Sequence, residues 1–345
     1  IAKQVGLWKE DDNEDAIITG TELSELSDKE LRQRIMKLKV ISRARPMDKK
    51  LLVETLQEMD EVVAVTGDVT NDGRALKAAH VGLSMGDGTN VAKQASDITI
   101  TDNSFTSIGR AVMRGRSLYQ NIQRFILFQM IVNVVACLVV VFGAFLGEQP
   151  PLTVTQMLWV NLIMDTFAAM ALASLPPNER VMQSKPRNRK DFIITKPMGI
   201  MIASIGVLFF AFLMTLLYVF KHYDIKAFAD IFLFGECRGG IGISPKEGSM
   251  FFTVFVMLQF WNMFNAKAYM SGRSAFHFKN CGSFLLIAAI ILAGQVAIVT
   301  FGGKMFSVTP LSVADWVVMI ALTSLVMILG ELARFANNHC IKAKA

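Results

Sequence analysis

With 345 residues, 52% hydrophobic content and a mean hydropathy of +0.42, the chain is too apolar for an ordinary water-soluble enzyme of its length. The net charge of +6 raises nucleic acid as a partner, but no base-stacking motif or basic stripe accompanies it, so no nucleic acid is expected. Cys137, Cys237, Cys281 and Cys340 are scattered without a CxxC pair, so neither a disulfide framework nor a zinc site is predicted.

Residues 1–115 carry dense Lys, Arg, Asp and Glu among short apolar runs, whereas residues 116–345 hold the apolar excess. These ranges define two predicted domains. No secretory leader precedes residue 30, and the opening Ile1-Ala2-Lys3-Gln4 predicts a truncated N-terminus. Apolar runs at Ala16–Ile18, Val40-Ile41 and Val62–Val65 alternate with helical patterns over Leu31–Leu38, Leu51–Met59 and Ala75–Ala79. That alternation predicts an α/β domain with a parallel sheet. Ligands of such sheets gather at the carboxyl ends of the strands. Asp68 and Asp72 fall there, in Thr66-Gly67-Asp68-Val69-Thr70-Asn71-Asp72. Two carboxylates four residues apart suit a hard divalent cation beside a phosphoryl group, and Mg²⁺ is the natural candidate. The glycine-rich turn Val81–Thr89 either approaches a ligand closely or only shapes the backbone. Lys49, after Arg45-Pro46, either lends positive charge to a phosphoryl oxygen or is solvated.

Six stretches are long enough to cross ~30 Å of hydrocarbon. They lie near 122–146, 152–175, 197–220, 250–270, 281–301 and 314–334. The first helix is expected to begin earlier, around Phe105, as a stalk. Gly143 and Gly147 mark its far end, and Pro150-Pro151 force a short turn. The Pro176–Lys196 connection carries Arg180, Lys185, Arg187, Arg189, Lys190 and Lys196, and the 147–153 turn carries no Lys or Arg. The basic loop is therefore expected on the cytoplasmic side, with both termini. Lys221, Lys226, Arg238 and Lys246 run against that rule on the predicted outside, among Asp224, Asp230, Glu236 and Glu247.

Asp165 lies mid-span, where an unpaired charge costs several kcal/mol, about 3 by insertion scales. Asn161 sits one helical turn earlier, so the two are expected to face one point between helices. Asn133 and Gln259 either add oxygens or hydrogen-bond neighbouring helices. Oxygen donors converging in a bilayer suit Ca²⁺ or another hard cation.

Several motifs carry a family resemblance: Ile18-Thr19-Gly20 with Leu26-Ser27-Asp28, Ala44-Arg45-Pro46 with Asp48-Lys49, and Thr66-Gly67-Asp68 with Asn71-Asp72-Gly73. Val81-Gly82 with Met85-Gly86, Ala92-Lys93 with Ala95-Ser96-Asp97, and Met157–Thr166 complete the set. The chain resembles the C-terminal part of P-type cation-transporting ATPases, within them the plasma-membrane type calcium pumps, over nearly its whole length. The resemblance implies a haloacid-dehalogenase-like phosphorylation domain, in its C-terminal portion, followed by an all-α domain of six transmembrane helices. It implies ATP-driven calcium transport through an aspartyl phosphate, with Mg²⁺ and ATP as cofactors. Thr66, Gly67 and Asp68 would bind the cofactor, Lys49 would contact the phosphoryl group, and Asn71 and Asp72 would complete the loop. Asn133, Asn161 and Asp165 would hold calcium, with Gln259 as a further candidate. Ala136 stands where two-site pumps carry an acidic residue and Gln259 where they carry a glutamate, which implies one ion per cycle. The implied setting is a multi-pass protein of the plasma membrane.

Departures are equally specific. Val69 replaces a family glycine and is expected to crowd the phosphate loop; Arg74 and His80 replace a usual proline and aspartate. The chain contains no Asp-Lys-Thr-Gly-Thr, Lys-Gly-Ala or Thr-Gly-Glu. It is therefore expected to need a missing N-terminal half and to be inactive alone. Competing readings are a pump for manganese, sodium or protons, and a non-catalytic membrane subunit with a degenerate phosphatase-like domain. A free-standing phosphatase ranks last, for want of an Asp-x-Asp pattern at a strand end.

Overall fold

Residues 2, 4, 6–9, 11–145, 151–233, 237 and 242–342 are described in the computed structural model, side chains at 144, 233 and 337–342 excepted. Gly147, Pro150, Glu236, Arg238 and the Cys340 side chain lie outside the described residues. The chain divides into two compact units, Ile1–Val112 and Met113–Ala345.

In the first unit, helix starts follow local hydrogen-bond chemistry. Strand β1 (Ile17–Thr19) runs into α1 (Gly20–Glu25), where Thr19 and Glu22 form a reciprocal capping box. Ser27 and Glu30 do the same for α2 (Asp28–Arg34). Each box satisfies amide donors that a helix start leaves orphaned. After β2 (Val40–Ser42), Pro46 opens α3 (Pro46–Glu58), and Asp48 accepts the Arg45 amide at 2.7 Å. Then come β3 (Ala64–Thr66), α4 (Gly73–Ala78), β4 (Val81–Met85), α5 (Asn90–Ala95) and β5 (Ile98–Ile100).

All strand pairings are parallel, as the alternation predicts, but they form two sheets where the sequence reading expected one. β1 pairs with β2, and β3-β4-β5 form a second sheet. Apolar runs mark strands without naming their partners. Ile18, Leu23, Leu31 and Ile35 form one core with Leu52 and Leu56 of α3; Leu83, Met85 and Ile100 form another.

The second unit is helical. Helix α6 (Phe105–Phe145) starts at the expected residue, and the boundary between units falls within it. At 1.5 Å per residue it is about 60 Å long, twice the hydrocarbon thickness. Next come α7 (Val154–Leu158), a π-helical segment (Trp159–Met164) and α8 (Asp165–Ala173), in one continuous run. They are followed by α9 (Lys196–His222), α10 (Pro245–Ala268), α11 (Gly282–Phe301), the short α12 (Gly303–Phe306) and α13 (Val313–Lys342).

Among the described residues, five helical segments are long and apolar enough to cross a membrane: Phe105–Gly143, Val154–Ala173, Lys196–His222, Gly282–Phe301 and Val313–Ala336. They fit a transmembrane helical domain. The remaining predicted span, 250–270, coincides with α10, which is long enough but falls short in apolarity. Gln259, Asn262, Asn265 and Lys267 interrupt it, and all four are buried. Helix α10 packs against α9, α11 and α13, so its side chains meet protein on nearly every side.

Candidate functional site

Two places hold the residues singled out in the sequence, and each lies within one unit. In the first unit, β3 ends at Thr66, and the chain turns through Gly67 and Asp68 into a 3₁₀ turn, Thr70–Asp72, that leads into α4. A Cβ on Gly67 would lie 2.4 Å from Asp72 Cβ, so only glycine allows this approach. Asp72 is buried; its Oδ1 accepts from Lys49 Nζ at 2.6 Å and its Oδ2 from the Val69 amide at 3.4 Å. Asp68 is exposed, and its Oδ1 accepts from the Met85 amide at 3.3 Å.

The glycine-rich turn supports this loop from the side. Gly88 donates to Met85 O at 3.0 Å, and Thr89 donates to Asp68 O at 2.8 Å. A Cβ on Gly88 would meet the Asp68 carbonyl at 3.2 Å. The open question about that turn thus has a physical answer: its backbone seats Asp68. Thr66 and Asn71 are exposed beside it.

Lys49 is an ion-pair partner of Asp72 and keeps 42% of its side-chain surface exposed. Val69 does not crowd its own backbone: φ is −109° and ψ 160°, extended geometry open to any residue, and its side chain is 52% exposed. His80 Nδ1 accepts the Val63 amide at 3.2 Å, and Arg74 reaches Met47 Sδ at 2.8 Å. Both departures therefore have local structural partners.

In the second unit, Asp165 opens α8 immediately after the π-helical segment and is buried. Its Oδ2 accepts from Gln129 Nε2 of α6 at 2.7 Å. Asp165 Oδ1 and Gln129 Oε1 are buried without a hydrogen-bond partner. Gln259 is fully buried, with both amide atoms unpartnered, and Asn262 Nδ2 and Gln295 Nε2 share that condition. Gln295 Oε1 accepts from Trp159 Nε1 at 2.9 Å, which ties the π segment to α11. Buried polar atoms of this kind are normally satisfied, so each marks a point that can take water or an ion.

Asn133 is half-buried on α6, one turn beyond Gln129. Asn161 does not share Asp165's buried face; it is exposed. The expectation assumed α-helical spacing, and the wider π turn changes the phase between the two residues. Among the described residues no three His, Cys, Asp or Glu gather as a metal cluster. The oxygens here are mostly amides around one carboxylate. Gln129 was missed in the sequence, although it interrupts an apolar run four residues before Asn133. Gln295 had the same signal, whereas the π segment had none.

The chain is 43% identical over 306 residues to plasma membrane calcium-transporting ATPase 2 of Oreochromis mossambicus, covering 86% of this chain and 26% of that protein. It is 44% identical over 290 residues to plasma membrane calcium-transporting ATPase 3 of Homo sapiens (81% and 23%). It is 37% identical over 345 residues to calcium-transporting ATPase PAT1 of Dictyostelium discoideum (91% and 30%). The chain thus spans about a quarter of the length of the relatives it matches. Residues 149–336, more than half of the chain, match the family described as cation transporting ATPase, C-terminus, and the chain belongs to that family.

Proposed function

We propose that the chain is the C-terminal part of an ATP-driven calcium pump of the plasma membrane, working through an aspartyl phosphate carried elsewhere in the complete protein. The observation that carries this reading is Asp165: a buried carboxylate in an apolar helical bundle, with one amide donor and one unpartnered oxygen. Such a group is expensive unless it meets a cation. Asp165 with Asn133 and Gln259 forms the protein's share of a calcium site. Asn161, on the exposed face, stands outside this set.

The first unit is read as the C-terminal portion of a haloacid-dehalogenase-like phosphorylation domain. Asp68 fits Mg²⁺ because only one of its oxygens is used, by a weak amide bond. Asp72 fits less well as a direct ligand, since Lys49 and the Val69 amide engage both its oxygens; its role is to hold the loop and Lys49. Bound Mg²⁺ would neutralise charge on a transferring phosphoryl group of ATP. Lys49 supplies the neighbouring positive charge, and Thr66, Gly67 and Asn71 frame the approach. The unbroken helix α6, which carries Gln129 and Asn133, transmits the phosphorylation state to the cation site.

The test uses the full-length protein in sealed vesicles. Asp165→Asn should abolish both calcium uptake and calcium-dependent phosphorylation by ATP. Calcium-dependent phosphorylation that survives in the variant would sink this reading.

A further inference from the structure

One glutamine on α6 has one end of its amide in use and the other end free. Gln129 stands in an apolar stretch, next to Phe128 and close to Ile131 and Val132, all three buried. Its Nε2 donates to Asp165 Oδ2 at 2.7 Å. Its Oε1 is shielded from solvent and accepts no hydrogen bond, and Asp165 Oδ1 is in the same condition. Each free oxygen belongs to the same planar head group as one end of that hydrogen bond. The bond therefore keeps the two orphaned oxygens near one another, between α6 and the start of α8.

Holding Asp165 in place explains only half of this arrangement. That task needs a donor alone, and several side chains carry an N–H or O–H of suitable reach. Glutamine brings an oxygen as well, and burying that oxygen without a partner is costly unless something meets it. The carboxylate oxygen cannot meet it, because an ionised carboxylate and an amide carbonyl both only accept. Two neighbouring acceptors with no donor between them suit a positive ion. Asn133 lies four residues further along α6, on the same face of the helix, and adds another amide there. Ca²⁺ takes about 6–8 oxygens and mixes carboxylates with neutral carbonyls and water.

Given Asp165 as a calcium ligand, the reading on which this rests, we propose that Gln129 is a direct ligand of the transported cation. Its Oε1 and Asp165 Oδ1 take the ion together, while its Nε2 keeps Asp165 Oδ2 out of the coordination shell and makes the carboxylate monodentate. The long helix α6 then grips the ion itself, and any displacement of α6 changes the coordination directly.

The experiment counts water on the ion. Europium(III), a hard cation that accepts oxygen ligands, replaces Ca²⁺ at saturating concentration in the full-length protein in detergent. Its emission lifetime in H₂O against D₂O gives the number of coordinated water molecules, because O–H quenches the emission and O–D does not. Only the emission that Asp165→Asn removes is counted, which leaves out europium bound elsewhere. Gln129→Met keeps the length and apolar packing of the side chain and removes its oxygen. Water fills the vacancy, so the count should rise by about one, and the calcium needed for half-maximal phosphorylation by ATP should rise about tenfold or more. Gln129→Asn draws the amide back by one methylene and should give the same added water, which serves if the methionine variant does not fold. A water count unchanged in the folded variant overturns the proposal and leaves Gln129 as a positioning residue for Asp165. Europium emission identical in the native protein and Asp165→Asn is a distinct failure, which overturns the calcium-site reading and the proposal with it.

Discussion

Replacing Asp165 by asparagine separates a cation ligand from a structural carboxylate. A charge at the centre of a membrane helix costs about 2.5–3.5 kcal/mol. The single hydrogen bond from Gln129 Nε2 at 2.7 Å offsets about 1.5–3 kcal/mol of this, as bonds to charged groups do. The unliganded carboxylate therefore runs a deficit of up to about 2 kcal/mol. Asparagine keeps an oxygen for Gln129 and removes the charge. The variant should thus be as stable as the native chain without calcium, or more stable by up to about 2 kcal/mol. Calcium at a hundred times its Kd should stabilise the native chain by about 2.7 kcal/mol and the variant not at all. Thermal unfolding in detergent, followed by tryptophan fluorescence with calcium and with chelator, reads both effects. A variant that is less stable without calcium yet still protected by it would refute the reasoning, because Asp165 would then be structural.

Three further outcomes are expected. Gly67→Ala places a Cβ 2.4 Å from Asp72 Cβ and should cost about 1–3 kcal/mol as overpacking, seen as a lower denaturant midpoint for the first unit. Val69→Gly, at an exposed extended position, should cost about 0.5–1 kcal/mol through chain entropy and leave phosphoenzyme formation in the complete pump undiminished; a large loss would show that valine is required. The Ser107 hydroxyl and the Ser104 amide hold the Asp102 carboxyl below its usual pKa of 3.8. Its contribution is therefore complete above that value and lost as pH falls below it. Ser107→Ala should remove part of the acid sensitivity of the first unit in a pH-dependent unfolding series.

How much of this was legible in the sequence depends on whether a feature is local. Thr19 with Glu22 and Ser27 with Glu30 mark helix starts through chemistry spanning three residues, whereas the apolar pattern alone placed the second of these helices at Leu31–Leu38 and not at Asp28–Arg34. The end of β3 at Thr66, the stalk start at Phe105 and the burial of Asp165 were readable for the same reason. Features set by partners distant in the chain were not. Nothing in Lys49 or Asp72 alone declares their ion pair across 23 residues, and three-residue strands do not name their sheet. The amide of Gln129 reads as one polar interruption until Asp165 is placed beside it. The π segment hid most completely, because Trp159–Met164 carries no proline or glycine to mark an irregular turn, and with it went the expected alignment of Asn161.

Helix α10 bears on how the protein is made. A segment reaching the membrane alone is sorted by its own apolarity, and Gln259, Asn262, Asn265 and Lys267 each weigh against entry. The helix lies in the bundle because α9, α11 and α13 enclose it. Its insertion therefore belongs to the group: α10 is retained as its neighbours arrive, and a polypeptide halted after Ala268, before α11 and α13 exist, would hold it insecurely.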